Sequence, residues 1–203
     1  MNEQEYRQAI KQLCAEDADL KQIIAEFGVP EMRVRKPGFS TLIYIILEQQ
    51  VSLASARAVF DRLQKIWNPA DAETFLKIED QALRDTGFSR QKIQYTKIAA
   101  KAILADEIDL EKCSGMTDEL VRDSLMKLKG IGRWTADIYL MMAMRRPDIW
   151  PGRDLAIIKA MQNIKGFDSI PTETEMKQIS DNWRPFRSAA AMILWHYYLS
   201  KKG

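Results

Sequence analysis

Two glycines one residue apart interrupt the run LMKLKGIGRWTADIYLMMA, Leu125 to Ala143, in which every other position suits a helix. Each glycine costs about 1 kcal/mol relative to alanine inside a helix. Gly130 and Gly132 therefore mark either a tight helix-helix corner or a place where backbone comes close to a ligand. A helix that restarts at Gly132 leaves its first amides without intrahelical partners, and a Gly-x-Gly turn puts no side chain in the way of an anion. The positive end of the helix dipole, together with Lys129 and Arg133, would favour a phosphate there. Lys127, Lys129 and Arg133 form a local basic cluster in a chain whose formal charge is only +2. Such a cluster serves a phosphate or a solvated helix end equally well.

Few other residues could do chemistry. Cys14 and Cys113 are the only cysteines and His196 the only histidine. Disulfide frameworks, zinc sites, four-cysteine clusters and paired-histidine metal motifs lack the necessary ligands. A serine triad has one possible base. Both thiols are expected to be buried or inert, His196 to be a packed or surface residue, and no cofactor is expected. Chemistry is left to carboxylates, hydroxyls and lysines. Asp154 stands out because RPDIWPGRD breaks the helical pattern with Pro147, Pro151 and Gly152, then delivers this aspartate at the start of LAIIKAM. An aspartate there is also an ordinary helix N-cap.

The elements that would hold these residues are helices. Apolar residues recur at helical spacing in Tyr6, Ile10, Leu13, in Leu20, Ile23, Ile24, Phe27, and in Leu42, Ile45, Ile46. Strand signals are nearly absent. Gly28 and Gly87 end helical runs, and Thr172 with Glu175 forms a candidate capping box. The pattern predicts helices near 3–14, 18–27, 39–50, 52–67, 71–77, 79–86, 89–104, 117–128, 133–145, 154–164, 172–182 and 187–200, an all-α chain. Its 203 residues suffice for one domain or two joined lobes. No apolar run approaches the ~18 residues of a membrane span, and the start MNEQEYRQAIKQ has no signal core. The expected location is cytoplasmic, without membrane association, and with the nucleoid if the source is bacterial.

The segment LMKLKGIGRWTA resembles the helix-hairpin-helix element of the DNA glycosylase superfamily, which is followed by a Gly/Pro-rich loop ending in an aspartate. WPGRD matches that loop about twenty residues later, with Asp154 on the aspartate. FSTLIYIILEQQVSLASARAVFDRL, LRDTGFSRQKIQYTKIAAKAI and WRPFRSAAAMILWHYYL are similar, in the same order, to further helices of the alkylation-repair branch. The resemblance covers roughly residues 36–200 and is nearest to the 3-methyladenine DNA glycosylase II group. It implies a two-lobed helical fold, with residues 1–35 as amino-terminal helices packing on a glycosylase domain of 36–203. The hairpin would be 117–145 and the catalytic loop 146–154. Two helices stand where the best-known bacterial members carry a β-domain.

The same resemblance implies roles. Asp154 becomes the catalytic carboxylate, stabilising positive charge on the deoxyribose as the glycosidic bond breaks. Trp134 and Trp195 fall on positions that line the base pocket, where aromatic faces attract cationic alkylated bases. Ile138 replaces the family's second hairpin aromatic, and Tyr139 beside it is a possible substitute. Gln50 matches the residue that fills the gap left by a rotated nucleotide, with Gln49 as the alternative. Ser52, Gly130, Gly132, Arg133 and Lys129 are expected to hold the DNA backbone. Asp137 and Arg187 also match, though an internal ion pair explains them equally. Hairpin carbonyls could bind a monovalent cation, and no other metal is expected. Trp134 occupies the position at which strand-cleaving members carry a lysine nucleophile.

The implied activity is monofunctional hydrolytic excision of alkylated purines, of the 3-methyladenine and 7-methylguanine type, from damaged duplex DNA. An abasic-site endonuclease would act next, and a monomer is expected. The competing readings are a non-catalytic DNA-binding protein that uses the hairpin as a phosphate clamp, and a bifunctional glycosylase with lyase activity.

Overall fold

The computed structural model describes residues 1–110 and 112–201. Among them run α1 (Glu3–Glu16), α2 (Ala18–Phe27), α3 (Phe39–Glu48), α4 (Leu53–Gln64), α5 (Ala72–Leu76), α6 (Asp80–Thr86) and α7 (Arg90–Leu104). A 3-10 turn at Lys112–Gly115 precedes α8 (Asp118–Met126), α9 (Arg133–Met142), α10 (Leu155–Ile164), α11 (Glu173–Asp181) and α12 (Arg187–Ser200). The fold is all-α, as the periodicity predicts, and only the 3-10 turn has no counterpart in that pattern.

Caps set the helix starts. Asn2 with Glu5, and Thr172 with Glu175, form complete capping boxes, while Ser52, Ser89 and Thr117 each accept an amide of the first turn. Several helix ends come earlier than the apolar pattern suggests, two of them beside positive-φ residues. Helix α3 stops at Glu48 because Gln49 turns to extended backbone and Gln50 to φ +57°. Helix α9 stops at Met142, short of Arg145 at φ +54°.

The chain forms two compact units. One runs from Arg35 to Met144 and contains α3 to α9. Its centre is α3, whose Leu42, Ile43, Ile45, Ile46 and Leu47 are all buried, so this helix is apolar on nearly every side. Helices α4, α7 and α9 pack on it. The aromatic rings of Phe39, Trp67 and Phe75 meet edge to face near its start.

The other unit joins Met1–Val34 to the chain from Arg145 onward. Here α12 is the central helix, buried from Ser188 to Trp195, and α1, α2 and α10 pack on it. Ala189, Ala190 and Ala191 keep one stretch of α12 thin. Asp17 ties three parts of this unit together. It caps α2, accepts the Trp183 indole N–H at 2.9 Å and receives Lys165 Nζ at 3.0 Å. Burial pushes the Asp17 carboxyl up, but the Leu20 amide, Trp183 and Lys165 outweigh it and hold the group below its ordinary range.

Candidate active site

In the unit built on α3, the hairpin is α8, a short turn and α9. Gly130 has φ +89°, and a Cβ there would lie 2.1 Å from the Tyr95 ring. Glycine is demanded at this position by the left-handed backbone and by close packing on α7. Gly132 differs: its φ is −96° and a Cβ would meet nothing within 4 Å. It is the N-cap of α9, it is exposed, and no side chain caps this helix start. Gly132 thus presents open backbone at the turn, whereas Gly130 faces Tyr95.

The charged side chains of the hairpin divide in the same way. Lys129 and Arg133 are exposed. Asp137 is buried and accepts from Arg122 Nε at 2.7 Å, with Arg133 Nε 3.6 Å from its other oxygen. It is an ion-pair residue, bound by Arg122 and Arg133.

The α3–α4 corner adjoins this turn. Gln49 donates both amide hydrogens, to Gly130 O and to Thr135 Oγ1, each at 2.9 Å. Gln50 is exposed. Lys92 Nζ, half-buried on α7, donates to Leu47 O at 2.7 Å and Gln49 O at 3.0 Å. Its burial lowers its affinity for the proton. A groove of about 390 Å³ is lined by Gln49, Gln50, Gln91, Lys92, Tyr95 and the turn at 130–132. Ser52 accepts from Ser55 N–H, which makes it the N-cap of α4.

Three aromatic or apolar positions of the hairpin helix separate on burial. Trp134 is half-buried in the first turn of α9. Ile138 and Tyr139 are enclosed in the core, and the Tyr139 hydroxyl accepts the Gly38 N–H at 2.9 Å. Burial pushes this phenol up to about 12. Their expected place in a base pocket is corrected: α9 turns these two side chains into the unit's interior, where they pack.

In the other unit, the loop 146–154 is stapled to the start of α12. Arg187 Nε and Nη2 grip the Asp148 carboxylate at 2.7 and 3.0 Å, and Arg184 Nη1 adds a contact of 2.7 Å. Ser188 Oγ donates to Arg146 O and accepts from Ile149 N. Trp150 lies edge-on to Trp183, and the Asp154 N–H closes a turn onto Pro151 O. Arg187 thus pairs with Asp148, so the two matching ionic residues, Asp137 and Arg187, serve separate pairs.

This loop delivers Asp154 as the N-cap of α10. Its Oδ1 accepts from the amides of Ala156 and Ile157, at 2.9 and 3.1 Å, and from Trp195 Nε1 at 3.0 Å. The carboxylate is half-buried, while Leu155 next to it is exposed. Trp195 is itself buried, with its indole N–H on the aspartate. His196, the next residue, donates through Nε2 to Phe27 O at 2.9 Å and is a packing residue. Three donors on one oxygen fix the carboxylate's orientation at the positive end of α10.

Sequence reasoning does not single out Tyr95, Lys92, Asp148 or Ser188. Lys92 lies in LRDTGFSRQKIQYTKIAAKAI, yet its acceptors are carbonyls more than forty residues earlier, which no pattern reveals.

A helix pair joined by an exposed glycine, followed by a Pro/Gly loop that presents a helix-start aspartate, defines the helix-hairpin-helix class of base-excision proteins. The chain belongs to that family: residues 43–185 match the HhH-GPD superfamily base excision DNA repair protein. It is 30% identical over 180 residues to DNA-3-methyladenine glycosylase 1 of Schizosaccharomyces pombe, covering 87% of this chain and 79% of that one. DNA-3-methyladenine glycosylase 2 of Escherichia coli is 22% identical over 188 residues, 85% of this chain and 64% of that protein. The structure of the S. pombe 3-methyladenine DNA glycosylase in complex with abasic DNA superposes with a TM-score of 0.87 at 28% identity, over 97% of both chains.

Proposed function

We propose that this protein is a monofunctional DNA glycosylase that removes alkylated purines from duplex DNA by hydrolysis and leaves an abasic site. The observation that carries the reading is Asp154, a carboxylate aimed by two backbone amides and the Trp195 indole. In this reaction the electron pair of the glycosidic bond leaves with the base. Positive charge grows on the sugar at C1′, and the Asp154 carboxylate stabilises it. Water then adds to C1′ and gives up a proton. A purine alkylated at N3 or N7 is already cationic, so the departing pair neutralises it and no acid is needed. Trp134 offers a ring face to such a base, an attraction of about 0.5–2 kcal/mol.

The target nucleotide must first rotate out of the stack. Gly132, with Arg133 and Lys129, holds a phosphate at the uncapped start of α9, and exposed Gln50 occupies the vacated space. Trp134 stands where a Schiff-base lysine would be required, which supports hydrolysis over lyase chemistry.

Incubation with methylated duplex DNA tests the reading. The expected result is released 3-methyladenine and 7-methylguanine, with strands that break only after alkali. Intact duplex binding without any released base would favour the clamp alternative. Borohydride is expected to trap no protein–DNA adduct, and a trapped adduct would overturn the hydrolytic mechanism.

A further inference from the structure

The corner between α3 and α4 is held in a conformation it would not adopt alone. Gln50 has φ +57°, a region that costs a residue with a Cβ about 1 kcal/mol or more. Three sets of bonds surround it. Glu48, just before the corner, is gripped by both terminal nitrogens of Arg35 at 2.5 and 2.8 Å. Lys92 binds the carbonyls of Leu47 and Gln49 from α7. The Gln49 side chain spans to the hairpin, with one hydrogen on Gly130 O and the other on Thr135 Oγ1, and Thr135 is buried.

Gln49 and Gln50 are alike in chemistry and opposite in situation. Both N–H groups of the Gln49 amide are engaged within the protein, so it is not available to fill a gap in DNA. Gln50 is exposed. We propose that Gln49 is a positioning residue: it locks the corner that presents Gln50 to the glycine turn that holds the phosphate, with Lys92 bracing the corner from behind. This rests on the glycosylase reading in taking Gln50 as the residue that occupies the vacated stack.

The physical consequence is coupling. A phosphate seated at Gly132 fixes the hairpin, and the Gly130–Gln49 bond passes that placement to Gln50 without a flexible link. The geometry needed to hold a base out is then set before the base leaves, and less entropy is lost at that moment. Without Gln49, the hairpin would still bind DNA and Gln50 would still be present, but the two would no longer be in register. The loss should therefore fall on opening a paired base, and spare a base that has no partner to lose.

The test uses the full chain and a duplex with one 7-methylguanine, either paired with cytosine or opposite a tetrahydrofuran abasic analogue. Gln49→Ala and Gln50→Ala are both expected to slow single-turnover excision about tenfold on the paired duplex, and to come within about twofold of the parent protein on the unpaired one. Gln49→Glu keeps the shape but sets a carboxylate against Gly130 O. Its rate relative to the parent should be low at pH 8 and recover toward pH 5, as the protonated acid again donates. Fluorescence of 2-aminopurine beside the target reads base opening without excision. A parent protein that raises this signal but releases no base would sink the glycosylase reading, while the variants' fluorescence still decides the coupling. Undiminished opening by Gln49→Ala, an equal loss on both duplexes, or a Gln49→Glu variant with no acid recovery would each overturn the positioning role.

Discussion

The starts of α9 and α10 solve the same problem in opposite ways. Every α-helix begins with amides that lack intrahelical partners. At α10 the chain spends two of them on its own aspartate, so that the amides of Ala156 and Ile157 lock Asp154 Oδ1 in place. At α9 the N-cap is Gly132, which has no side chain to offer those amides. One helix start is a holder for a protein carboxylate. The other has a glycine in that place, and under the proposed function it is where a DNA phosphate binds. The residue at one position, aspartate or glycine, decides whether the chain caps its own helix start with a side chain. Asp137, four residues into α9, cannot take either task, because it is buried against Arg122.

The sharpest way to break this comparison is Asp154→Asn. Asparagine caps a helix as well as aspartate does, so stability should change by no more than ~0.5 kcal/mol. Excision should fall about a hundredfold to a thousandfold with lesion binding retained. An active variant, read by single-turnover release of 7-methylguanine, would mean that the carboxylate at α10 is only a cap.

Gly130→Ala comes next. The added methyl meets the Tyr95 ring at a left-handed backbone position, and a loss of about 3 kcal/mol is expected, with a thermal midpoint lower by on the order of 10 °C. A melting curve that does not move would show that Gly130 is as open as Gly132. Trp195→Phe preserves a ring in the core and removes only the N–H bound to Asp154. Excision is expected to slow about tenfold while duplex affinity holds. A parallel loss of affinity would assign the indole to DNA contact instead. The smallest effect is that of Gly132→Ala, which meets no steric barrier and should leave stability within ~0.5 kcal/mol. Duplex binding, measured by anisotropy at fixed salt, should weaken about threefold as the methyl crowds the α9 amides.

Much of this was legible before any coordinates. The helices follow the apolar spacing closely, because burial on one face imposes a 3.6-residue period that the sequence displays directly. Thr172 with Glu175 is a capping box in the structure, since both halves of that motif lie within four residues. Asp154 at the start of α10 was equally readable from the Pro/Gly loop before it. What could not be read was each side chain's facing. Ile138 and Tyr139 looked like candidates for a pocket by position alone, and α9 turns them into the core.

The sequence by itself determined the helices, their caps, the glycine turn and the identity of the residue at 134, because all of these depend on neighbours within a turn or two of the chain. Only the tertiary structure decided that Gly130 answers to Tyr95 while Gly132 faces open space, that Gln49 is tethered while Gln50 is exposed, and that Trp195 holds Asp154. Those distinctions arise from contacts between residues 35 to 86 positions apart, and packing alone assigns them: local spacing cannot tell which of two like residues will be brought against a partner.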